Sequence, residues 1–304
     1  FAVLEDGYQD LSIKKNLSII CFHSKQKLGN GQIIPSGPLR ESLDSLKNCQ
    51  IILINGKKDL EFEQKLKKYN SIGNEEIKAV NKTLKKTTQM GGSVNNFEKK
   101  ISKLFSKKYG LMVNSGSSAL ILALNVMNFK KGSEIITPCL NFGTALSSII
   151  LNNLVPTLID VKVETLQIDT SLIEKKISKK TVAILVPNLI GNIPNWKELK
   201  RIANKYNLMI IEDSADTLGA KIKKRSTGIY SNISITSFYG SHIISCAGNG
   251  GMLLTNSKKF YNKAKVLRSW GRMSSLIRDS ENINKRLGIK LKGFDYDKKF
   301  VFSE

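Results

Sequence analysis

The feature that most constrains the fold is a regular alternation of short apolar runs with helical segments through the middle of the chain. Runs with the length and β-branched content of buried strands lie at residues 111–113, 134–137, 155–160, 182–186, 208–212, 233–238 and 251–255. Helical segments of about a dozen residues separate most of them, a spacing typical of β–α–β units. We therefore predict an α/β domain whose mostly parallel sheet is flanked by helices, with functional groups at the carboxyl ends of the strands.

Two stretches before this alternation carry apolar residues at helical spacing. The first contains Ile77, Val80 and Leu84, and the second runs from Phe97 to Phe105. Residues three and four apart share one face of a helix. Each stretch therefore predicts an amphipathic helix.

The first part of the chain is organised differently. It contains strand-like runs at residues 17–22 and 50–54, a Gly/Pro-rich loop at 29–38 and a short helical segment at 39–47. These elements are too few to bury a core by themselves. We therefore place a domain boundary near residue 68, with an α/β fragment at 1–68 and the main domain at 69–304.

The composition narrows the choice of partners. The formal net charge is +23, and a basic surface attracts nucleic acid or anionic membrane, but the lysines are spread evenly, without an Arg-rich cluster or a basic strand interleaved with aromatic residues. No run approaches the roughly 20 apolar residues that cross a bilayer, and no secretory leader opens the chain. The four cysteines lack zinc or disulfide spacing. We expect a cytoplasmic protein with an anionic substrate and without nucleic-acid binding or membrane insertion.

A turn of small residues follows the first predicted strand of the sheet. It reads Asn114-Ser115-Gly116-Ser117-Ser118-Ala119 and leads into a helix. Small side chains let a ligand approach the backbone, and the N–H groups in the first turn of a helix favour phosphate. The turn indicates a phosphate site at Gly116, Ser117 and Ser118, although a serine N-cap explains it about as well when it is taken alone.

Acidic residues close the apolar strand at 208–212. They occur in Glu212-Asp213-Ser214-Ala215-Asp216. A carboxylate at such a strand end can pair with a protonated ring nitrogen. A metal-binding or helix-capping aspartate is the alternative interpretation.

A third motif, Ser237-Phe238-Tyr239-Gly240-Ser241-His242, precedes the loop Gly248-Asn249-Gly250-Gly251. With these residues in place, the order and spacing of the three motifs resemble the DegT/StrS-type nucleotide-sugar aminotransferase family, which has the type I fold of pyridoxal-phosphate enzymes. The resemblance implies the large domain of that fold at 69–304, with the C-terminal small domain missing after Glu304, as expected for a fragment.

The resemblance also implies how the cofactor, pyridoxal 5′-phosphate or pyridoxamine 5′-phosphate, is held. Phe142 would cover one face of the ring, Asp213 would contact the pyridine nitrogen, and Ser237 would bind phosphate. Asn188 and Asp216 join these as cofactor-binding positions. Asp216 and Asn249 depart from the family pattern, which often has Gln and Glu there.

His242 is the most informative departure, because the family has its cofactor-binding lysine at this position. An imidazole cannot bind the cofactor covalently, but it can act as a base near neutral pH. A subgroup of the family carries the same substitution, namely the 3-dehydratases of nucleotide-linked 4-keto-6-deoxyhexoses.

The resemblance therefore implies a homodimeric lyase in which His242 is catalytic and glutamate supplies the amine for removal of the C3 hydroxyl. Because no cysteine follows the Trp270-Gly271-Arg272 motif, we expect no iron–sulfur cluster. A transaminase-like protein of the same family, or a protein that binds the cofactor without turnover, is the alternative.

The N-terminal residues resemble a different family. Asp6-Gly7-Tyr8-Gln9, Gly29-Asn30-Gly31 and Pro35-Ser36-Gly37-Pro38-Leu39-Arg40-Glu41 are similar to segments of tetraacyldisaccharide 4′-kinase, the lipid A kinase. The phosphate-binding loop Gly-x-x-x-x-Gly-Lys-Ser/Thr occurs nowhere in the chain. We therefore interpret residues 1–66 as a kinase remnant without activity, joined to a sugar enzyme of cell-envelope polysaccharide synthesis.

Overall fold

The computed structural model describes residues 19–25, 27–29, 43, 46, 49, 51–67, 74–86, 90–240, 242–246, 248–277, 289–291 and 294–296. The chain divides into two compact units, Phe1–Gly91 and Gly92–Glu304. This structural division falls later than the family boundary predicted near residue 68, which stays a prediction. Within the described part of the chain, no helix is long and apolar enough to cross a membrane.

The first unit contains a small parallel pair of strands. Strand β1 (Ile19–His23) pairs with β2 (Ile51–Asn55), which confirms the two predicted strands, and helix α1 (Leu60–Lys67) follows. A small core joins Leu28, Leu46, Phe62 and Leu66. The kinase-like motif at 6–9 lies outside the described residues, and the predicted helix at 39–47 is described only at positions 43 and 46.

Helix α2 (Asn74–Lys86) confirms the first amphipathic helix, but none of its residues is buried. The apolar side chains of Ile77, Val80 and Leu84 are each at least half exposed. Periodicity shows that a segment can form a helix, whereas burial depends on a partner surface.

The second unit is built on the predicted alternation of helices and strands. Its elements are α3 (Gly92–Leu104), β3 (Tyr109–Val113), α4 (Gly116–Met127), β4 (Glu134–Pro138), α5 (Gly143–Leu151), β5 (Val155–Ile159), α6 (Thr170–Lys176), β6 (Thr181–Pro187), α7 (Trp196–Lys205), β7 (Met209–Asp213), β8 (Lys221–Ile222), β9 (Arg225–Ser226), β10 (Ile233–Ser237), β11 (Gly251–Thr255), α8 (Lys258–Arg268), β12 (Ile289–Leu291) and β13 (Phe294–Tyr296). The strand predictions are confirmed, with ends that differ by at most two residues.

One seven-stranded sheet has the order β3-β11-β10-β7-β6-β4-β5. Strand β11 is antiparallel to both of its neighbours, and the remaining pairs are parallel. The hairpins β8-β9 and β12-β13 form separate small sheets. The prediction of a mostly parallel sheet is confirmed.

Helices cover both faces of this sheet. Adjacent residues of β7 illustrate why, since Ile210 packs in the cluster that includes α6 and α7, while Ile211 packs in the cluster that includes α4, α5 and α8. Successive side chains of a strand point to opposite faces. A strand that is apolar on both faces must therefore be covered on both.

This topology brings several loops to one edge of the sheet. The segments that follow β3, β4, β6, β7 and β10 leave from the carboxyl ends of parallel strands, and antiparallel β11 begins at the same edge. Ligand sites of open α/β sheets lie at this edge. The site residues predicted from the sequence lie on these segments or, for Asp213 and Ser237, at the last residue of a strand.

The two-sided burial of β7 predicts a stability difference. Ile210 is fully buried and Ile150 on α5 is 58% exposed. Substitution Ile210→Ala should lower the free energy of unfolding by about 3 kcal/mol, because it removes buried methyl groups and leaves a cavity. The control Ile150→Ala should change it by less than about 0.5 kcal/mol. Urea denaturation measures both, and equal losses would contradict the assigned packing.

Candidate functional site

The turn after β3 is a capped helix start. Ser115 is the N-cap of α4, and its hydroxyl oxygen accepts a hydrogen bond from the Ser118 backbone N–H at 3.1 Å. The Ser115 hydroxyl also lies 3.0 Å from the Ser118 hydroxyl. Gly116 and Ser117 form the first turn of the helix, where the positive end of the helix dipole favours an anion. The serine N-cap is therefore real, and it coexists with the geometry of a phosphate site.

Two glycines allow three segments to meet at this turn. A Cβ on Gly116 would lie 2.8 Å from the Cβ of Ser237, at the end of β10. A Cβ on Gly251, the first residue of β11, would collide with the backbone of Ser115 and Gly116. Any larger residue would force these segments apart. The structure thus brings Gly116 and Ser237 together, as the motif order predicts.

Asp213 ends β7 with a buried carboxyl group. It is 6% exposed, and its Oδ1 accepts a hydrogen bond from the Ala215 N–H at 3.0 Å. Burial raises the pKa of Asp213 to about 7, and the negative charges of Asp216 and Glu212 add to this effect. Since one donor among the described residues reaches it, this carboxyl group is well suited to receive a cation or an N–H donor.

Asp216 and His242 face each other across neighbouring loops. The Asp216 Oδ1 lies 3.6 Å from the His242 Nε2, and the Asp216 Oδ2 accepts a hydrogen bond from the Ile190 N–H at 3.1 Å. The ring of Tyr239 stands edge-on to the imidazole, with the ring centroids 6.0 Å apart. Loops from β6, β7 and β10 therefore converge on this pair.

Phe142 lies in the loop between β4 and α5 with its side chain 67% exposed. Its backbone N–H donates to the Asn141 Oδ1 at 2.8 Å, and the Asn141 Nδ2 donates to the Thr137 Oγ1 at 3.1 Å. The loop is thus tied to the end of β4. An exposed aromatic ring on an ordered loop can stack on a planar ligand.

Asn188 is placed differently from the other predicted site residues. Its side chain is 1% exposed. The Asn188 Nδ2 donates to the Glu212 Oε1 at 3.0 Å and to the Ser214 Oγ at 2.7 Å, while its Oδ1 accepts from the Trp196 Nε1 at 2.9 Å. These contacts hold protein segments together, and a contact of Asn188 with the cofactor stays a prediction.

Sequence reasoning missed the role of Glu212. This residue is fully buried, and its carboxylate accepts hydrogen bonds from the side chains of Asn188, Ser214, Thr227, Ser231 and Ser234. Its signal in the sequence is a glutamate inside an apolar strand, next to a strand with polar residues at alternate positions, Ser234 and Thr236. These alternate positions point to a buried polar network.

Lys107 contacts the same network of polar residues. Its Nζ donates to the Ser231 carbonyl oxygen at 2.5 Å. Burial lowers the pKa of Lys107 to about 8, and the Glu212 charge opposes this shift. The buried Lys107 ammonium group therefore places a positive charge near the Glu212 carboxylate and stabilises it.

Comparisons with known proteins place two family models on the chain. One, described as the DegT/DnrJ/EryC1/StrS aminotransferase family, matches residues 70–295. The other, described as tetraacyldisaccharide-1-P 4′-kinase, matches residues 1–113. The N-terminal resemblance is confirmed, and the matched region extends beyond residue 66.

Individual relatives cover the same region. The chain is 36% identical over 218 residues to the lipopolysaccharide biosynthesis protein RfbH of Salmonella typhimurium strain LT2, a match that covers 68% of the chain and 50% of that protein. It is 30% identical over 223 residues to a GDP-4-keto-6-deoxy-D-mannose 3-dehydratase of Escherichia coli O55:H7, covering 71% of the chain and 56% of that protein. The chain thus spans about half the length of these relatives.

A solved structure shows the same fold. The E. coli GDP-4-keto-6-deoxy-D-mannose-3-dehydratase with bound hydrated PLP aligns with a TM-score of 0.66 and 26% identity, covering 74% of this chain and 61% of that one. The predicted type I fold of pyridoxal-phosphate enzymes is therefore confirmed. Because the first family model covers most of the chain and coincides with the sheet and the convergent loops, the chain belongs to the DegT/DnrJ/EryC1/StrS aminotransferase family.

Proposed function

We propose that this chain is part of a pyridoxal-phosphate-dependent enzyme that removes the C3 hydroxyl of a nucleotide-linked 4-keto-6-deoxyhexose. The observation that carries the proposal is a histidine, His242, at the lysine position of the family, on a loop that meets the acidic end of β7. Similarity to a named 3-dehydratase and to a lipopolysaccharide biosynthesis protein supports this chemistry and a role in cell-envelope polysaccharide.

The residues at the sheet edge fit the cofactor. The close approach of Gly116 to Ser237 brings the Ser237 side chain to the first turn of α4, where the backbone N–H groups suit a phosphate group and Ser117 and Ser118 lie in the same turn. The Asp213 carboxyl suits a protonated pyridine nitrogen, because the cation would relieve the unfavourable burial of its negative charge. Phe142 would cover one ring face.

The chain contributes binding and proton transfer. Bound pyridoxamine phosphate would supply the amine that condenses with the sugar ketone and the ring that accepts electrons. Gly116 and Ser237 hold the phosphate, Asp213 keeps the ring nitrogen protonated, and His242 takes up the proton on which loss of the C3 hydroxyl depends. Without a lysine at position 242 the cofactor is held by non-covalent contacts.

The proposal also covers the amine donor, the oligomeric state and the location of the enzyme. Glutamate would restore the amine on the cofactor and leave as 2-oxoglutarate, so that it supplies the two electrons used to replace the hydroxyl by hydrogen. The active enzyme would be a cytoplasmic homodimer, as the family resemblance implies. The kinase-like residues 1–66 would be a remnant, with the domain boundary near residue 68.

The alternative function is amino transfer to the same class of sugar. The family name supports this reading. His242 argues against it, because a histidine cannot take over the covalent role of the family's lysine. The two functions differ in product, since amino transfer keeps the C3 hydroxyl and adds nitrogen.

The direct test is the product. The chain is incubated with pyridoxal phosphate, glutamate and GDP-4-keto-6-deoxymannose, or with other nucleotide forms of the sugar, and mass spectrometry follows the mixture. We expect a sugar that has lost one oxygen atom, together with 2-oxoglutarate and ammonia. Substitution His242→Asn should slow this at least about 100-fold by removing the base. A nitrogen-containing product from the unchanged chain would support the alternative.

A covalent probe provides the control for position 242. Borohydride treatment in the presence of pyridoxal phosphate should leave no stable lysine adduct at the site, whereas His242→Lys should gain one. An adduct near this loop in the unchanged chain would exclude the assignment of His242.

The contact between Gly116 and Ser237 predicts an effect of substitution on cofactor affinity. Substitution Gly116→Ala places a methyl group against Ser237, so binding of pyridoxal phosphate should weaken roughly tenfold as the segments move apart. Gly143→Ala is a matched control, because Gly143 also begins a helix and a Cβ there meets nothing within 4 Å. Fluorescence titration measures both variants, and equal affinities would remove Gly116 from the phosphate site.

The buried Asp213 carboxyl group should lower the free energy of unfolding of the cofactor-free chain in a pH-dependent way. Its folded-state pKa of about 7 lies above the ordinary 3.8, so its contribution to stability is most favourable below about pH 4 and is lost as the pH rises through 7. Asp213→Asn keeps an acceptor for the Ala215 N–H and should raise the free energy of unfolding at pH 8 by at most about 4 kcal/mol. The gain should vanish towards pH 4.

Urea denaturation at several pH values checks this prediction. The exposed Asp160→Asn should show no such pH-dependent gain. A gain for Asp213→Asn that stayed constant from pH 4 to pH 8 would contradict the electrostatic origin.

A further inference from the structure

The two ring nitrogens of His242 have different surroundings. Nε2 lies 3.6 Å from the Asp216 Oδ1, a distance too long for a good hydrogen bond but short enough for electrostatic attraction. Nδ1 is buried from solvent and has no hydrogen-bond partner among the described residues. One nitrogen therefore faces a carboxylate, and the other is shielded from solvent without a donor or acceptor from the part of the chain that the structure describes.

Asp216 is held in place to make this approach. Its second oxygen, Oδ2, accepts a hydrogen bond from the Ile190 N–H at 3.1 Å. Ile190 has a φ of 53°, a left-handed conformation that β-branched residues rarely adopt. The loop after β6 thus fixes one carboxylate oxygen, and the other is left facing His242.

A carboxylate is only an acceptor, so it favours the imidazole form that presents an N–H towards it. In that form Nε2 carries the proton and Nδ1 carries the lone pair. A buried polar atom without a partner calls for an explanation, and a catalytic role is one of the few available. The two observations agree, because the nitrogen left without a partner is the one that the carboxylate leaves unprotonated.

We propose that Asp216 is a positioning residue that keeps the proton of neutral His242 on Nε2 and leaves Nδ1 as the proton-accepting atom. The first half concerns the chain alone, and the second half rests on the proposed function. In the reaction, an N–H bond forms at Nδ1 as a C–H bond breaks, and the electron pair released finally departs with the C3 hydroxyl. The Asp216 carboxylate faces the resulting imidazolium, in the manner of a triad carboxylate but with the ring nitrogens exchanged.

The chain is well suited to a direct measurement, because it contains only two histidines. Long-range proton–nitrogen correlation spectra of the full chain, labelled with ¹⁵N in the histidine rings and free of cofactor, report which nitrogen of each ring is protonated. The spectra are taken near pH 9, above the ordinary range of imidazole titration. Substitution His23→Gln assigns the signals, and the exposed His23, whose Nδ1 accepts from the Lys25 N–H, serves as an internal reference.

We expect His242 to carry its proton on Nε2. In Asp216→Asn the ratio of the Nε2–H form to the Nδ1–H form should fall roughly threefold, because a neutral amide attracts the N–H less strongly than a carboxylate does. Asp160→Asn, which removes a carboxylate from the loop after β5, should leave the ratio unchanged. A change of fold in the second unit would alter the circular dichroism as well.

A proton on Nδ1 in the unsubstituted chain would overturn the proposal, and so would an unchanged ratio in Asp216→Asn. The spectrum of the unsubstituted chain decides the first point even if the variant fails to fold. The result is separate from the proposed function, because the spectra need neither cofactor nor turnover. If Nε2 carries the proton and no deoxygenated sugar forms, the enzymatic proposal alone fails.

Discussion

The interaction on which the site edge depends is the burial of the Glu212 carboxylate. An ion removed from water costs several kcal/mol unless its lone pairs are satisfied. Here one oxygen accepts three side-chain hydrogen bonds and the other accepts two, so that the carboxylate is saturated. The donors are Asn188 in the loop after β6, Ser214 in the loop after β7, Thr227 and Ser231 in the segment before β10, and Ser234 in β10. One buried group thus ties together the strands whose ends carry the candidate site.

The neighbouring residue has the opposite environment because the strand alternates. Glu212 and Asp213 point to opposite faces of β7. Glu212 receives a full set of donors, whereas the described hydrogen bond to the Asp213 carboxyl comes from one backbone N–H, and its pKa is raised to about 7 mainly by burial. Of two adjacent carboxyl groups, one therefore stabilises the fold and the other is available for a ligand.

Much of the fold could be predicted because strands buried on both faces have a clear pattern of apolar residues. The runs at 182–186 and 208–212 became β6 and β7 within one or two residues. Contacts between distant segments were harder to predict from the sequence. The apolar face of α2 is exposed, and the side chain of Asn188 lies in the Glu212 network, while its contact with cofactor stays a prediction. Periodicity describes one segment at a time, whereas both of these outcomes depend on what lies opposite the segment.

The sequence by itself determined the order of elements, the family and the residue types at the sheet edge, including a histidine at the position where the family resemblance implies a lysine. These properties are local, since they follow from spacing along the chain. Only the tertiary structure decided that Gly116 touches Ser237, that Glu212 accepts five side-chain hydrogen bonds while one described donor reaches Asp213, and that His242 presents Nε2 to Asp216. Such facts depend on side chains far apart in sequence that meet only when the strands pair, and their chemistry follows from distance and burial, which spacing does not encode.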